Sequence, residues 1–334
     1  MIPRPTAPAP TEPSPHPATS PGTLARCTLA LPAALRVDSP ALRALPARIP
    51  LALAPALASL LGLLVATRHD VPARAFAPNF VALALALPAL VALTLSPARA
   101  RPALARTLPW LAVCALLATL LSPGTEGIHR WIDLRVFRLH VSAALGPLLL
   151  IGLVVPSRAG LCAMVLAQCV HLAQPDRAQS LWLALASLPL LLDRRRFARP
   201  IGLAASATLL ALALATWQRT DPLAPVAHVE RIVALAVQSG PPWALLMAST
   251  ALALWAAAVH QARETTDPTA PRWVTLSVLS WLALPSLTVA PMPLFGAGAG
   301  PMFGWFSTLS VLTLWPTPAA PGDVAGSPVK PSDV

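Results

Sequence analysis

The sequence predicts an all-α, polytopic membrane protein with about ten transmembrane helices, and three observations lead there. Hydrophobic residues fill 56% of the 334 positions and charged residues only 11%, with a mean hydropathy of +0.66, far more apolar side chain than one soluble core encloses. These residues are gathered into runs of 14–21, close to the ~20 that cross the hydrocarbon of a bilayer. No Asp, Glu, Lys or Arg stands in the middle of any run. A water-soluble enzyme is excluded, and so is disorder over most of the length, since disordered chains are poor in apolar residues. The 40 prolines and 15 glycines keep the helices short and interrupted.

Residues 1–48 are expected to form a Pro-rich disordered tail followed by a membrane-surface segment. The first 23 residues lack the apolar centre of a signal peptide, and Arg36, Arg43 and Arg48 lead into the first apolar run. The transmembrane domain covers 49–315, with runs at 49–67, 79–96, 107–121, 139–155, 159–174, 179–192, 200–217, 240–260, 273–290 and 301–315. Residues 316–334 form a second disordered tail. Trp110, Trp217, Trp243, Trp273 and Trp315 fall near run ends, where an aromatic belt is expected.

The net charge of +11 is carried by arginines scattered between the runs, the marking of a membrane protein's loops and not the stripe that binds nucleic acid. Membrane lipids are therefore the expected surroundings. Cys27, Cys114, Cys162 and Cys169 have no metal-ligand spacing. Arginine counts put the N-terminus inside, with Asp193–Arg196 as the firmest cytoplasmic anchor, and ten spans return the C-terminus to the same side.

That topology gathers four polar loops on the outer face. The first, Glu126 to His140, packs two acids, three arginines, two histidines and a tryptophan into fifteen residues. It reads either as a lipid-phosphate binding edge built on Arg130 and Trp131 or as interfacial anchors. In the second, His171 to Trp182, Asp176 is placed to cap the helix that follows. The third, Trp217 to Val237, brings His228 and Glu230 together before an apolar stretch. A carboxylate there can act as general base toward a sugar hydroxyl, with a nearby His or Arg orienting it; equally, Glu230 reads as a first-turn residue favoured by the helix dipole. The fourth, Pro291 to Phe306, is glycine-rich, and its default reading is a helix connector.

Taken in order, these loops resemble the SEDS family (shape, elongation, division and sporulation; FtsW/RodA-like), ten-helix membrane glycosyltransferases. The motif G-x-x-R-W-I-x-L-G-x-x-x-x-Q-P-S-E is matched by Gly127, Arg130, Trp131, Ile132, Leu134 and Ser142. It is departed from at Arg135, His140, Val141 and Ala143. The family's Q-P-D is present as Gln174, Pro175 and Asp176, with its following Gly-Thr replaced by Arg177 and Ala178. Its H-T-D-F-I-F-A resembles His228, Val229, Glu230, Arg231, Ile232, Val233 and Ala234; the later acidic pair gives way to Gln238 and Ser239. The L-P-F-x-S-Y-G-G-S turn is echoed by Pro293, Leu294, Phe295, Gly296, Gly298 and Gly300.

The resemblance implies a peptidoglycan glycosyltransferase acting on a lipid-pyrophosphate-linked glycan at the outer face of the bacterial inner membrane, in division or elongation. It implies Glu230 as the base, with Arg130, Trp131, His228, Arg231 and Asp176 in substrate binding. No organic cofactor is implied, a divalent cation is left open, and a class B penicillin-binding protein is the implied partner. The alternative is a catalytically silent relative that binds such a partner.

Overall fold

The computed structural model describes residues 40–287 and 290–316, with side chains from residue 50 onward. The two expected disordered tails, apart from residues 40–48 and 316, and Cys27 lie outside the described residues. Among the described residues, twelve α-helices and one hairpin follow in order: α1 (Pro40–Thr67), α2 (Ala77–Thr94), α3 (Arg101–Thr119), β1 (Trp131–Asp133), β2 (Arg138–His140), α4 (Val141–Leu149), α5 (Ile151–Val154), α6 (Arg158–Ala173), α7 (Arg177–Leu191), α8 (Arg199–Trp217), α9 (Ile232–Gln238), α10 (Pro241–Arg263), α11 (Thr269–Ala283) and α12 (Ala299–Thr313).

Every one of the ten apolar runs contains a helix, and the run 139–155 contains the pair α4 and α5, broken after Pro147. Residues 40–48, expected as a membrane-surface segment, form the first part of α1. Prolines in the first turn start α2, α3, α8 and α10, where a missing N–H costs nothing. Side chains cap three others: His140 Nδ1 accepts from Ala143 N, Ser157 Oγ from Gly160 N, and Asp176 Oδ1 from Gln179 N.

Among the described residues, five helical stretches are long and apolar enough to cross a membrane: 50–67, 73–94, 98–119, 199–217 and 241–263. They carry outward-facing Leu57, Leu85, Leu111, Leu214 and Leu245, which suit contact with lipid tails. The remaining spans are shorter and form the interior. At 15 residues, α12 is about 22 Å long, and it is buried along nearly its whole length between α4 and α2. Glycine makes this possible, because a Cβ on Gly304 would lie 2.1 Å from Ala143 O and one on Gly300 2.9 Å from His140 O.

Contacts between connections fix the two ends of the bundle. At one end, Asp193 and Asp267 share Arg195 and Arg196, Thr269 Oγ1 donates to Asp193 Oδ2 at 2.7 Å, and Arg196 also reaches Val154 O. The hydrogen bond from Arg195, foremost, holds the Asp193 carboxyl below the usual carboxylate range. Arg196 lies over the Trp315 ring, whose Nε1 donates to Asp267 Oδ2. At the other end, Arg68 covers Trp243 and His69 Nε2 contacts Ser239 Oγ at 2.9 Å.

Trp273 and Trp315 depart from the aromatic-belt expectation. Both are buried, with ring centres 5.5 Å apart, so they pack protein on protein instead of standing at the lipid boundary.

Replacing Gly304 by Val forces α12 away from α4. The expected result is a loss of about 1–3 kcal/mol, as for other overpacked interfaces, read as a thermal midpoint several degrees lower in detergent.

Candidate active site

The first polar loop folds as the β1–β2 hairpin, with Trp131 opposite His140 and Asp133 opposite Arg138. Its tip holds Arg135 at φ +65°, a left-handed conformation that glycine adopts without cost, at the position where the family motif carries glycine. Asp133 Oδ1 accepts the Arg135 amide at 2.7 Å and so supports the turn. Across the hairpin, the Trp131 and His140 rings meet edge to face, 5.6 Å apart.

Arg130, one residue before β1, is buried. Its Nε donates to Gln174 O at 3.1 Å, and Nη2 donates to Pro175 O at 2.6 Å and to Asp221 Oδ2 at 2.8 Å. One guanidinium therefore joins the hairpin, the α6–α7 turn and the α8–α9 loop. The Asp221 carboxylate is itself only 7% exposed, and its other oxygen accepts from Leu223 N.

Behind this pair lies a second one. His140 Nε2 faces Asp176 Oδ2 at 3.6 Å with both side chains buried. His140 Nδ1 accepts the Ala143 amide, so the ring's single proton belongs on Nε2, toward the carboxylate. Burial pushes the His140 pKa below its usual 6.5, against the pull of Asp176 and with help from Arg130. For Asp176, burial alone would raise the carboxyl, but His140, Arg130, His171 and the Gln179 amide together hold it below the ordinary carboxylate range. Asp176 is thus a buried helix cap and ion-pair partner, set behind the cavity that Arg130 and His140 line.

Glu230 stands at the end of a tight turn in which Glu230 N and Val229 N both donate to Val226 O. Its Oε2 accepts the Val226 amide at 2.6 Å. Burial pushes its pKa above the usual 4.5, with the amide bond opposing, so the carboxylate is more basic than an exposed glutamate. Arg231, not Glu230, is the N-cap residue of α9, so the first-turn reading of Glu230 does not apply.

The glycine-rich segment is more than a connector. Met292 N donates to Val229 O and Ala297 N to His228 O, both at 2.9 Å, and a Cβ on Gly296 would lie 2.2 Å from Val229 O. Asn79, buried in α2, donates from Nδ2 to Gly296 O and Ser59 Oγ and accepts the Gly298 amide at 2.7 Å. Ser59 Oγ in turn donates to Leu294 O at 2.7 Å. A polar network inside the bundle thereby holds the turn that backs the Glu230 loop.

These elements enclose a cavity of about 410 Å³, lined by Arg130, Trp131, Arg138, His140, Glu230 and the backbone from Ala297 to Gly300, with Thr125 and Glu126 at its edge. Of the residues expected from sequence, Arg130, Trp131 and Glu230 meet here. Arg231 lines a separate cavity on the other side of Glu230. His228 serves through its backbone carbonyl, and burial lowers its imidazole pKa. Sequence reasoning missed Asp221, Arg138 and Asn79. The Asp-Pro dipeptide at 221–222 and a lone asparagine within the second apolar run were the available signals.

By fold, the chain is similar to Thermus thermophilus rod-shape-determining protein RodA, with a TM-score of 0.59 at 18% identity over 79% of this chain and 94% of that one. It is similar to an Asp-to-Ala variant of the same protein at 0.58 and 18%, over 79% and 95%. The chain has the fold of the SEDS proteins. A chain of a peptidoglycan synthase complex that coordinates polymerisation and crosslinking matches as well, at 0.58 and 16% over 79% and 96%. No family profile and no curated protein matches the sequence. The SEDS-like fold and its apolar helices make this a multi-pass membrane protein.

Two outcomes follow for this site. Asp221→Ala leaves the buried Arg130 cation uncompensated, a loss of about 3–5 kcal/mol, and is expected to lower the thermal midpoint well beyond an exposed control such as Arg263→Gln. His140 has a folded pKa below its unfolded one, so its contribution is complete above pH 6.5 and falls as pH drops below that value, where the unfolded state takes up the proton first. Thermal midpoints measured from pH 7.5 to 5.5 should therefore fall more for wild type than for His140→Asn, which keeps a capping acceptor and removes the titration.

Proposed function

We propose that the chain is a glycosyltransferase of the peptidoglycan polymerase class. It acts on a lipid-pyrophosphate-linked sugar at the outer face of the bacterial inner membrane, with both termini in the cytoplasm. The observation that carries this reading is Glu230, a carboxylate of raised basicity in the wall of an arginine-lined cavity, on a RodA-like fold. Glu230 removes the proton of an acceptor sugar hydroxyl as that oxygen attacks the anomeric carbon of the donor. The bond from that carbon to the pyrophosphate oxygen breaks with inversion, and the lipid pyrophosphate leaves.

Arg138, at the cavity edge and largely exposed, meets the anionic leaving group, while Arg130 acts mainly by holding the loops that shape the site. Trp131 offers an aromatic wall for the sugar.

A second reading rests on the bond between Glu230 Oε2 and its own Val226 amide, which occupies one carboxylate oxygen. On that reading the protein is a silent relative that binds a class B penicillin-binding protein. The test is glycan-chain formation from purified lipid II by the detergent-solubilised protein, wild type beside Glu230→Gln, with and without such a partner. Chains from wild type and a loss of at least 10²-fold in the variant uphold the polymerase. Unimpaired chains from Glu230→Gln refute the role of Glu230, and no chains with co-purification of the partner favours the silent reading.

A further inference from the structure

Behind the cavity wall, the α6–α7 turn gathers buried acceptors that no donor in the described residues meets. His171 lies in the last turn of α6, Gln174 is its C-cap, Asp176 is the N-cap of α7 and Gln179 stands in that helix's first turn. None of the four is more than 5% exposed. Gln174 Oε1, Asp176 Oδ2, Gln179 Oε1 and His171 Nε2 each lack a hydrogen-bond partner among the described residues.

Local geometry brings these residues together. His171 and Gln174 share a face of the helix end, and the Asp176 amide returns to His171 O at 3.0 Å. Gln179 occupies the helix position from which a side chain reaches back over the N-cap residue to bond its amide. The Asp176 amide is already given to His171 O, so Gln179 Oε1 stays beside Asp176 without a donor. The neighbouring bonds fix all four atoms as acceptors. Gln174 Nε2 donates to Thr119 Oγ1, which leaves that amide's oxygen as its free group. His171 Nδ1 faces Gln168 Oε1 at 3.3 Å, an oxygen that also accepts from Ser180 Oγ, so the imidazole proton sits on Nδ1 and Nε2 offers a lone pair.

The balance of charge points the same way. Two carboxylates, Asp176 and the nearly buried Asp221, stand against one buried guanidinium, Arg130, and His140 is neutral because its Nδ1 accepts the Ala143 amide. One negative charge is left over in the interior, where an uncompensated ion is costly. Carboxylate and amide oxygens carrying a single net negative charge suit a hard cation of single charge. We infer that the α6–α7 turn binds one alkali cation, sodium or potassium, through Asp176 Oδ2, Gln174 Oε1 and Gln179 Oε1, with a water on the ion donating to His171 Nε2. Arg130 grips the backbone carbonyls of this turn, and the cation grips its side chains.

The test uses the full chain in detergent. It is exchanged into N-methyl-D-glucamine chloride, and sodium or potassium chloride is titrated in at constant ionic strength while the thermal midpoint is followed. Saturable binding of radioactive sodium, and of radioactive rubidium as the tracer for potassium, is measured in parallel. Wild type is compared with Asp176→Asn, Gln179→Leu and Arg263→Gln. The expected result is a saturable rise of several degrees in the midpoint and tracer binding that approaches one ion per chain. Asp176→Asn keeps a capping acceptor and abolishes both, Gln179→Leu weakens binding about tenfold or more, and Arg263→Gln, at the opposite end of the bundle, behaves as wild type.

A response to either alkali ion that these two variants remove upholds the site. Identical midpoints in all three salts, with no saturable tracer binding, overturn it. Binding that survives at full strength in Gln179→Leu and in Asp176→Asn also overturns it, and where Asp176→Asn is not monodisperse the Gln179→Leu comparison decides alone. None of these readouts requires turnover or a glycan substrate, so failure of the polymerase reading leaves the inference standing.

Discussion

Everything at the site end of the bundle depends on the buried guanidinium of Arg130. It is 3% exposed and donates to two backbone carbonyls of the α6–α7 turn and to the carboxylate of Asp221. A cation taken out of water is costly unless its hydrogen-bonding capacity is met and its charge opposed. The three segments that satisfy it are consequently fixed to one another: the hairpin bearing Trp131 and Arg138, the turn bearing Asp176, and the loop ending in Glu230. Without that requirement these would be independent loops on a membrane surface.

The second ion-pair layer, His140 with Asp176, serves the same end by a different balance. Burial disfavours charge on both, yet the imidazole yields and the carboxyl stays ionised, because Asp176 also faces Arg130 and accepts the Gln179 amide. A neutral imidazole can spend Nδ1 on the first turn of α4 and direct its remaining proton at the carboxylate. The outcome is a helix start locked to the floor of the cavity. Glu230, by contrast, has no cationic partner at bonding distance among the described residues, and burial leaves it basic. The arrangement separates carboxylates that face buried cations from one bonded only to a backbone amide.

On the opposite side of the cavity, close backbone contact replaces charge. Gly296 lies against Val229 at a distance that a Cβ would forbid, Gly298 takes a φ of +147°, and Asn79 supplies hydrogen bonds to this turn from within the bundle. The opposite end of the molecule carries the Asp193, Arg195, Arg196 and Asp267 network, which ties the α7–α8 and α10–α11 connections to α5 and the end of α12. Short interior helices are thus secured at both ends by polar contacts, as they must be where apolar packing against lipid supplies little preference.

By itself the sequence determined the ten apolar segments, the gathering of the polar loops on one face and the capping role of Asp176. All of these follow from local periodicity, from the cost of charge in hydrocarbon and from spacing along the chain. The tertiary structure alone decided that Arg130 is chiefly a brace, that Arg231 and Arg177 share a cavity apart from Arg130, and that Asp221 and Asn79 matter. Each of those facts depends on which loops approach one another across separations of 44 to 219 residues. Hydrophobic patterning sets which segments cross the membrane but carries no information about their lateral order. Pairing of buried polar groups, which sets that order at the site, becomes visible only when the helices are packed.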